Sequence, residues 1–112
     1  MTYGPLPVLT DALAVVPGIE RAFIHGSWAA RYQGELGPVP NDVDVLVIGT
    51  ADADDLDAVA QQAQQRLSRP VQIRRFRPAV WRRADPGDPF LRSVREGPLV
   101  ELHLGSQGST TA

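Results

Sequence analysis

Val43 to Ile48, VDVLVI, places five apolar residues in six and ends at Gly49. A run that short and that apolar reads as a strand buried in the middle of a sheet, since a half-exposed strand would alternate with polar residues. A central strand needs neighbours to pair with and helices to cover it, so the rest of the chain has to supply both. One residue interrupts the run. An acidic group at the position of Asp44 requires a partner. Asp42 lies two positions earlier, and residues two apart in a strand share a face, with backbones about 6.5 Å apart. Two aspartates so placed form a pair of hard oxygen donors suited to a metal ion.

The flanking stretches alternate between helix and strand periods. After a turn at Tyr3 to Pro7, Val8 to Val16 sets Val8, Leu9, Ala12, Leu13 and Val16 on one helical face, with Pro17-Gly18 as the stop. Ile19 to His25 reads as a strand that delivers Gly26-Ser27 to an edge of the sheet. One or two helical turns are expected over Trp28 to Tyr32, then an irregular loop from Gln33 to Asn41, where Gly34, Gly37, Pro38 and Pro40 fall. Asp52 is the expected N-cap of the longest helix, running to about Ser68 with Leu56, Val59, Ala60, Ala63 and Leu67 on one stripe. Pro70 breaks it, and Val71 to Phe76, VQIRRF, alternates as a third strand.

The remainder reads as small additions. These are a helical turn at Ala79 to Ala84, a loop at Asp85 to Pro89, a short helix from Asp88 or Pro89 through Phe90, Leu91, Val94 and Arg95, and an edge strand at Leu99 to Leu104. Residues 1–104 are expected to form one α/β domain, a small mixed sheet covered by helices. Residues 105–112, GSQGSTTA, have nothing to bury and are expected to be a flexible tail.

Composition narrows the chemistry. Cysteine is absent, which removes disulfides, thiolate metal sites and cysteine nucleophiles. All 11 cationic side chains are arginine, so lysine chemistry is excluded as well. A net charge of -2 gives no basic footprint for nucleic acid. Arg74, Arg75, Arg77, Arg82 and Arg83 form a local cluster that reads either as a solvated face or as a phosphate-seeking one. No apolar stretch approaches the roughly 18 residues of a membrane span, and the N-terminus lacks the basic start of a signal segment, so a cytoplasmic protein without membrane contact is expected.

A strand ending in Gly26-Ser27, followed by a strand opening on Asp42-Val43-Asp44, resembles the signature of the minimal nucleotidyltransferases, small members of the DNA polymerase β superfamily. The resemblance spans roughly Val8 to Phe76. It is nearest to the nucleotidyltransferase domain that in some bacterial proteins follows an ArsR-like winged-helix regulator, on the segments YGPLPVL, GSWAARY and PNDVDVLVIG. The resemblance implies the nucleotidyltransferase fold and transfer of a nucleoside monophosphate, AMP from ATP, to a hydroxyl acceptor. Asp42 and Asp44 are then the catalytic residues and the Mg²⁺ ligands. Gly26, Ser27 and Arg31 bind the triphosphate: Gly26 by letting backbone N–H groups approach, Ser27 by its hydroxyl, and Arg31 from one turn further along the helix. Standalone members of the resembled group act as antitoxins on HEPN-type toxins, so such a toxin or a separate winged-helix regulator is the implied protein partner.

Two departures from the family pattern bear on activity. Fourteen residues separate Ser27 from Asp42, a longer interval than the family usually has, which is tolerable because loops lengthen at small entropic cost. The third strand presents Gln72 and Arg74 where active members place a third carboxylate. Neither is an anionic ligand or a general base at neutral pH. That leaves a transferase with an already activated acceptor, one that borrows Glu101 from the last strand, or a non-catalytic nucleotide-binding or regulatory module. Outside this pattern, His25 and Trp28 read first as packed residues and only second as phosphate or base contacts, and Trp81 as a residue packing its loop.

Overall fold

The structure is a computed structural model that describes residues 5–34, 37, 40–83 and 89–104. In chain order the elements are α1 (Pro5–Ala14), β1 (Ile19–His25), α2 (Ser27–Tyr32), β2 (Val43–Gly49), α3 (Ala53–Leu67), β3 (Val71–Phe76), α4 (Pro78–Arg83), α5 (Pro89–Glu96) and β4 (Leu99–Leu102). The four strands form one mixed sheet in the order β3-β2-β1-β4. β1 runs antiparallel to β2 and β4, and β2 runs parallel to β3. The apolar run is therefore an interior strand, paired on both sides.

Strand alternation divides the core into two layers. Val43, Val45 and Val47 of β2 turn to one face with Ala22, Ile24 and Leu102, and there meet Leu9 and Leu13 of α1 and Leu56, Val59 and Ala63 of α3. Leu46 and Ile48 turn to the other face with Phe23, under Trp81 of α4 and Leu91 and Val94 of α5. Helices thus cover both faces, which is why β2 reads as continuously apolar rather than alternating.

Local chemistry fixes the element ends. Asp52 caps α3 by accepting a hydrogen bond from the Asp54 backbone N–H at 2.8 Å. At the other end Ser68 takes a left-handed conformation (φ 57) and returns its N–H to the Gln64 carbonyl. The Gln64 side chain accepts from the Val71 backbone N–H at 3.0 Å, tying the end of α3 to the start of β3. α1 starts at Pro5 rather than after Pro7: proline's fixed φ and missing donor suit a first helical turn as well as they suit a bend. The last strand stops at Leu102, two residues short of the expectation. The expected loop at Asp85 to Pro89 falls mostly outside the described residues, and the expected tail at 105–112 wholly so. Among the described residues no helix is long and apolar enough to cross a membrane.

Candidate functional site

The end of β1 and the start of β2 lie side by side, because His25 is the register partner of Asp44. Asp44 is half-buried on the α4–α5 side of the sheet, while Asp42, just ahead of the strand, is exposed and accepts a hydrogen bond from the Asn41 side chain at 3.1 Å. Gly26 follows His25 at φ 75, ψ -146. A Cβ built on it would stand 3.0 Å from Asp44 Oδ2. The Gly-Ser turn and the second aspartate are thus pressed together, with room for backbone only. Ser27 opens α2 as an exposed residue, and no side chain caps that helix start.

Substitution of Gly26 by Ala is expected to act twice. The backbone conformation there is nearly restricted to glycine, so the fold should lose about 1–3 kcal/mol. The new methyl group should also push the Asp44 carboxylate aside and weaken whatever that carboxylate binds. Urea denaturation beside a Mg²⁺-nucleotide titration reads both effects; unchanged stability would refute the conformational account.

Arg31, in the last turn of α2, donates from Nη1 to the Gly37 carbonyl at 2.9 Å. Glu101 does not approach the aspartates: it pairs in register with Phe23, two strands from β2 and two residues along, roughly 12 Å from Asp44 by sheet spacings. Its carboxylate takes two hydrogen bonds of 3.1 Å each from Arg21, which hold its pKa below the usual carboxylate range. Among the described residues no three His, Cys, Asp or Glu side chains come together as a metal cage.

On β3, Gln72 is the register partner of Asp44 and Arg74 that of Leu46, both exposed. Arg74 holds its guanidinium carbon 4.3 Å from the centre of the Phe90 ring. Phe90, from α5, also stacks on Phe76 and meets His25 edge-on at 5.9 Å between centroids. The row around Asp44 therefore combines a carboxylate, an imidazole, an amide and a guanidinium, with one aromatic ring beside them. Sequence periodicity placed Phe90 on a short helix but held no signal for its reach across to β3.

Trp81 is buried in the core and Trp28 is partly buried. Trp81 packs against Phe23 at 5.3 Å and beneath the Arg95 guanidinium, and Trp28 packs against the α1–α3 layer. A shallow depression of about 590 Å³, lined by Ala30, Gln33, Gly34, Glu96, Gly97 and Pro98, opens at the far end of α2 and includes none of the expected site residues.

His25 gives the site a pH signature. Burial lowers its pKa; Asp44 opposes this, and Arg74 adds to it. Its other neighbours are Phe90 on α5 and Leu99, its register partner on β4. An unfolded chain then binds a proton more readily than the folded one, so stability is complete above the ordinary histidine pKa of 6.5 and declines as pH falls below it. Denaturation curves between pH 8 and pH 5 should show a steeper decline for the natural chain than for His25→Gln; equal slopes would contradict this.

No protein-family model, no curated protein and no solved structure matches the chain.

Proposed function

We propose that the chain is a Mg²⁺-dependent nucleotidyltransferase of the nucleotidyltransferase fold, moving a nucleoside monophosphate, AMP from ATP in the simplest case, to a hydroxyl acceptor. The observation that carries this reading is the contact of Gly26 with Asp44: a glycine whose Cβ would crowd a carboxylate leaves backbone, and nothing else, between a strand end and an acidic strand start. A strand end without a side chain, set beside a carboxylate, leaves backbone N–H groups unshielded and suits their approach to a triphosphate. The order of elements and the mixed sheet agree with the resemblance in the sequence.

The donor set suits Mg²⁺, which keeps several waters and commonly takes only one or two carboxylates beside substrate phosphates. Asp42 and Asp44 would hold it, and the charge it supplies offsets that of the triphosphate and of the leaving pyrophosphate. Ser27 offers a hydroxyl to the phosphates, and Arg31 its remaining N–H groups. Gly26 keeps the backbone close. Phe90, Leu46 and Phe76 border the polar row with apolar surface.

Gln72 opposite Asp44 favours a second reading, nucleotide binding without transfer. Calorimetric titration of the four nucleoside triphosphates with Mg²⁺, followed by incubation with α-labelled ATP and acceptors, separates the two. Saturable binding with transferred label supports the enzyme; binding without transfer supports the sensor; no binding of any nucleotide refutes both.

A further inference from the structure

On the nucleotidyltransferase reading, the sheet decides from which side the acceptor hydroxyl comes. The attacking and leaving oxygens of phosphoryl transfer lie roughly in line across the phosphorus. Gly26 and Ser27 follow β1 on one side of Asp44, and β3 lies on the other. With the leaving pyrophosphate held at the Gly-Ser turn, the hydroxyl enters along β3. Gln72 meets it first, as the register partner of Asp44, and Arg74 stands two residues along on the same face, about 6.5 Å away at the backbone. Both are exposed, and β3 is an edge strand. The arginines that cluster in the sequence separate here by what they touch. Arg75 donates to the Ala51 carbonyl and Arg82 pairs with Glu20, whereas Arg74 lays its guanidinium over the Phe90 ring, with its carbon 4.3 Å from the ring centre. Stacking on a ring occupies the face of a guanidinium and leaves its in-plane N–H groups to bind a phosphate or carboxylate in bidentate fashion.

We propose that the acceptor is an alcohol that also carries an anionic group, a phosphate or a carboxylate, held by Arg74 while Gln72 takes the hydroxyl beside Asp44. The amide oxygen of Gln72 accepts a hydrogen bond from the hydroxyl and so turns its oxygen toward the metal-binding aspartates. The spacing of the two residues suits an acceptor whose hydroxyl and anionic group are a few bonds apart. In transfer, the hydroxyl oxygen attacks the α-phosphorus of the nucleoside triphosphate and a new P–O bond forms. The bond from the α-phosphorus to the oxygen bridging it to the β-phosphate breaks. Its electron pair leaves with pyrophosphate, and the hydroxyl proton passes to water. Arg74 binds and orients the acceptor, and its charge offsets the repulsion between the anionic group and the triphosphate.

The test uses the whole chain and two titrations. In the first, α,β-methylene ATP, which cannot transfer, is bound with Mg²⁺; failure here refutes the nucleotidyltransferase reading itself. In the second, glycerol, glycerate and glycerol 3-phosphate are titrated separately into that saturated complex by nuclear magnetic resonance. At least one of the two anions should bind about tenfold or more tightly than glycerol, as a charge-assisted pair implies, and the tighter of the two tells carboxylate from phosphate. Arg74→Ala should erase this preference with nucleotide binding unchanged, and Arg74→Lys should keep part of it. Arg92→Ala, at an arginine already paired with Glu96, should change neither titration. Equal affinity for glycerol and both anions, binding of none of the three, or a preference that survives Arg74→Ala overturns the proposal while leaving the nucleotide site standing.

Discussion

Asp44→Asn should abolish Mg²⁺-dependent nucleotide binding, with an affinity loss of about 100-fold or more, while leaving the melting temperature nearly unchanged. The side chain keeps its size and its place beside Gly26, so the fold loses no packing. It loses only the negative charge. A neutral amide is a weak ligand for a hard divalent cation, and several kcal/mol of charge stabilisation go with it. Asp42→Asn should have a smaller effect, since Asp42 is exposed and water can substitute for it. Titration of both variants with ATP and Mg²⁺, with a melting curve for each, decides the matter. Wild-type affinity in Asp44→Asn would remove the central residue of the proposed site.

The strands and longer helices were legible because their periods are local. VDVLVI, the Leu56-to-Leu67 stripe and the alternation of VQIRRF each state a burial pattern within one segment, and the sheet and α3 follow it closely. Legibility failed where one residue type serves two local structures. Pro5 and Pro7 read as a turn and form the first turn of α1, because proline suits both.

The candidate site divides in the same way. Gly26-Ser27 and Asp42-Val43-Asp44 were legible as a strand end and a strand start, and the register that pairs His25 with Asp44 brings the two together. The surroundings were not implicit. Arg31 reads as a phosphate ligand, but its guanidinium also donates to the Gly37 carbonyl. Glu101 reads as an available carboxylate, yet it pairs across strands with Arg21, 80 positions away. Phe90 gathers Arg74, Phe76 and His25 from two strands through packing of α5, which no spacing within α5 records. Contacts made across the sheet depend on which strands become neighbours, and a single segment's period carries no information on that choice.

The same cross-strand logic predicts the most damaging single methyl group in the described fold. Gly49→Ala should destabilise the chain by about 3 kcal/mol or more, a large part of the roughly 5–15 kcal/mol that holds a domain of this size together. At Gly49 the pairing of β1 with β2 shifts register: Ile19 faces Gly49 but Arg21 already faces Ile48, so Glu20 is the extra residue of an irregularity in β1. The bulged backbone leans onto Gly49. A Cβ there would overlap the carbonyl oxygen of Gly18 and stand 3.1 Å from the Glu20 nitrogen. Backbone, unlike the Asp44 side chain beside Gly26, cannot rotate away, and the same Gly18 carbonyl accepts from the Thr50 N–H at 2.8 Å. Relief therefore requires breaking that bond or parting the two central strands, and the φ of 154 adds conformational strain for any other residue. Thermal and urea unfolding should show a melting temperature lower by roughly 10 °C or more, with the urea slope unchanged if the unfolded chain is unaffected. A variant that melts with the natural chain would mean that β1 can shed its bulge freely, and the register that brings His25 to Asp44 would then be loosely held.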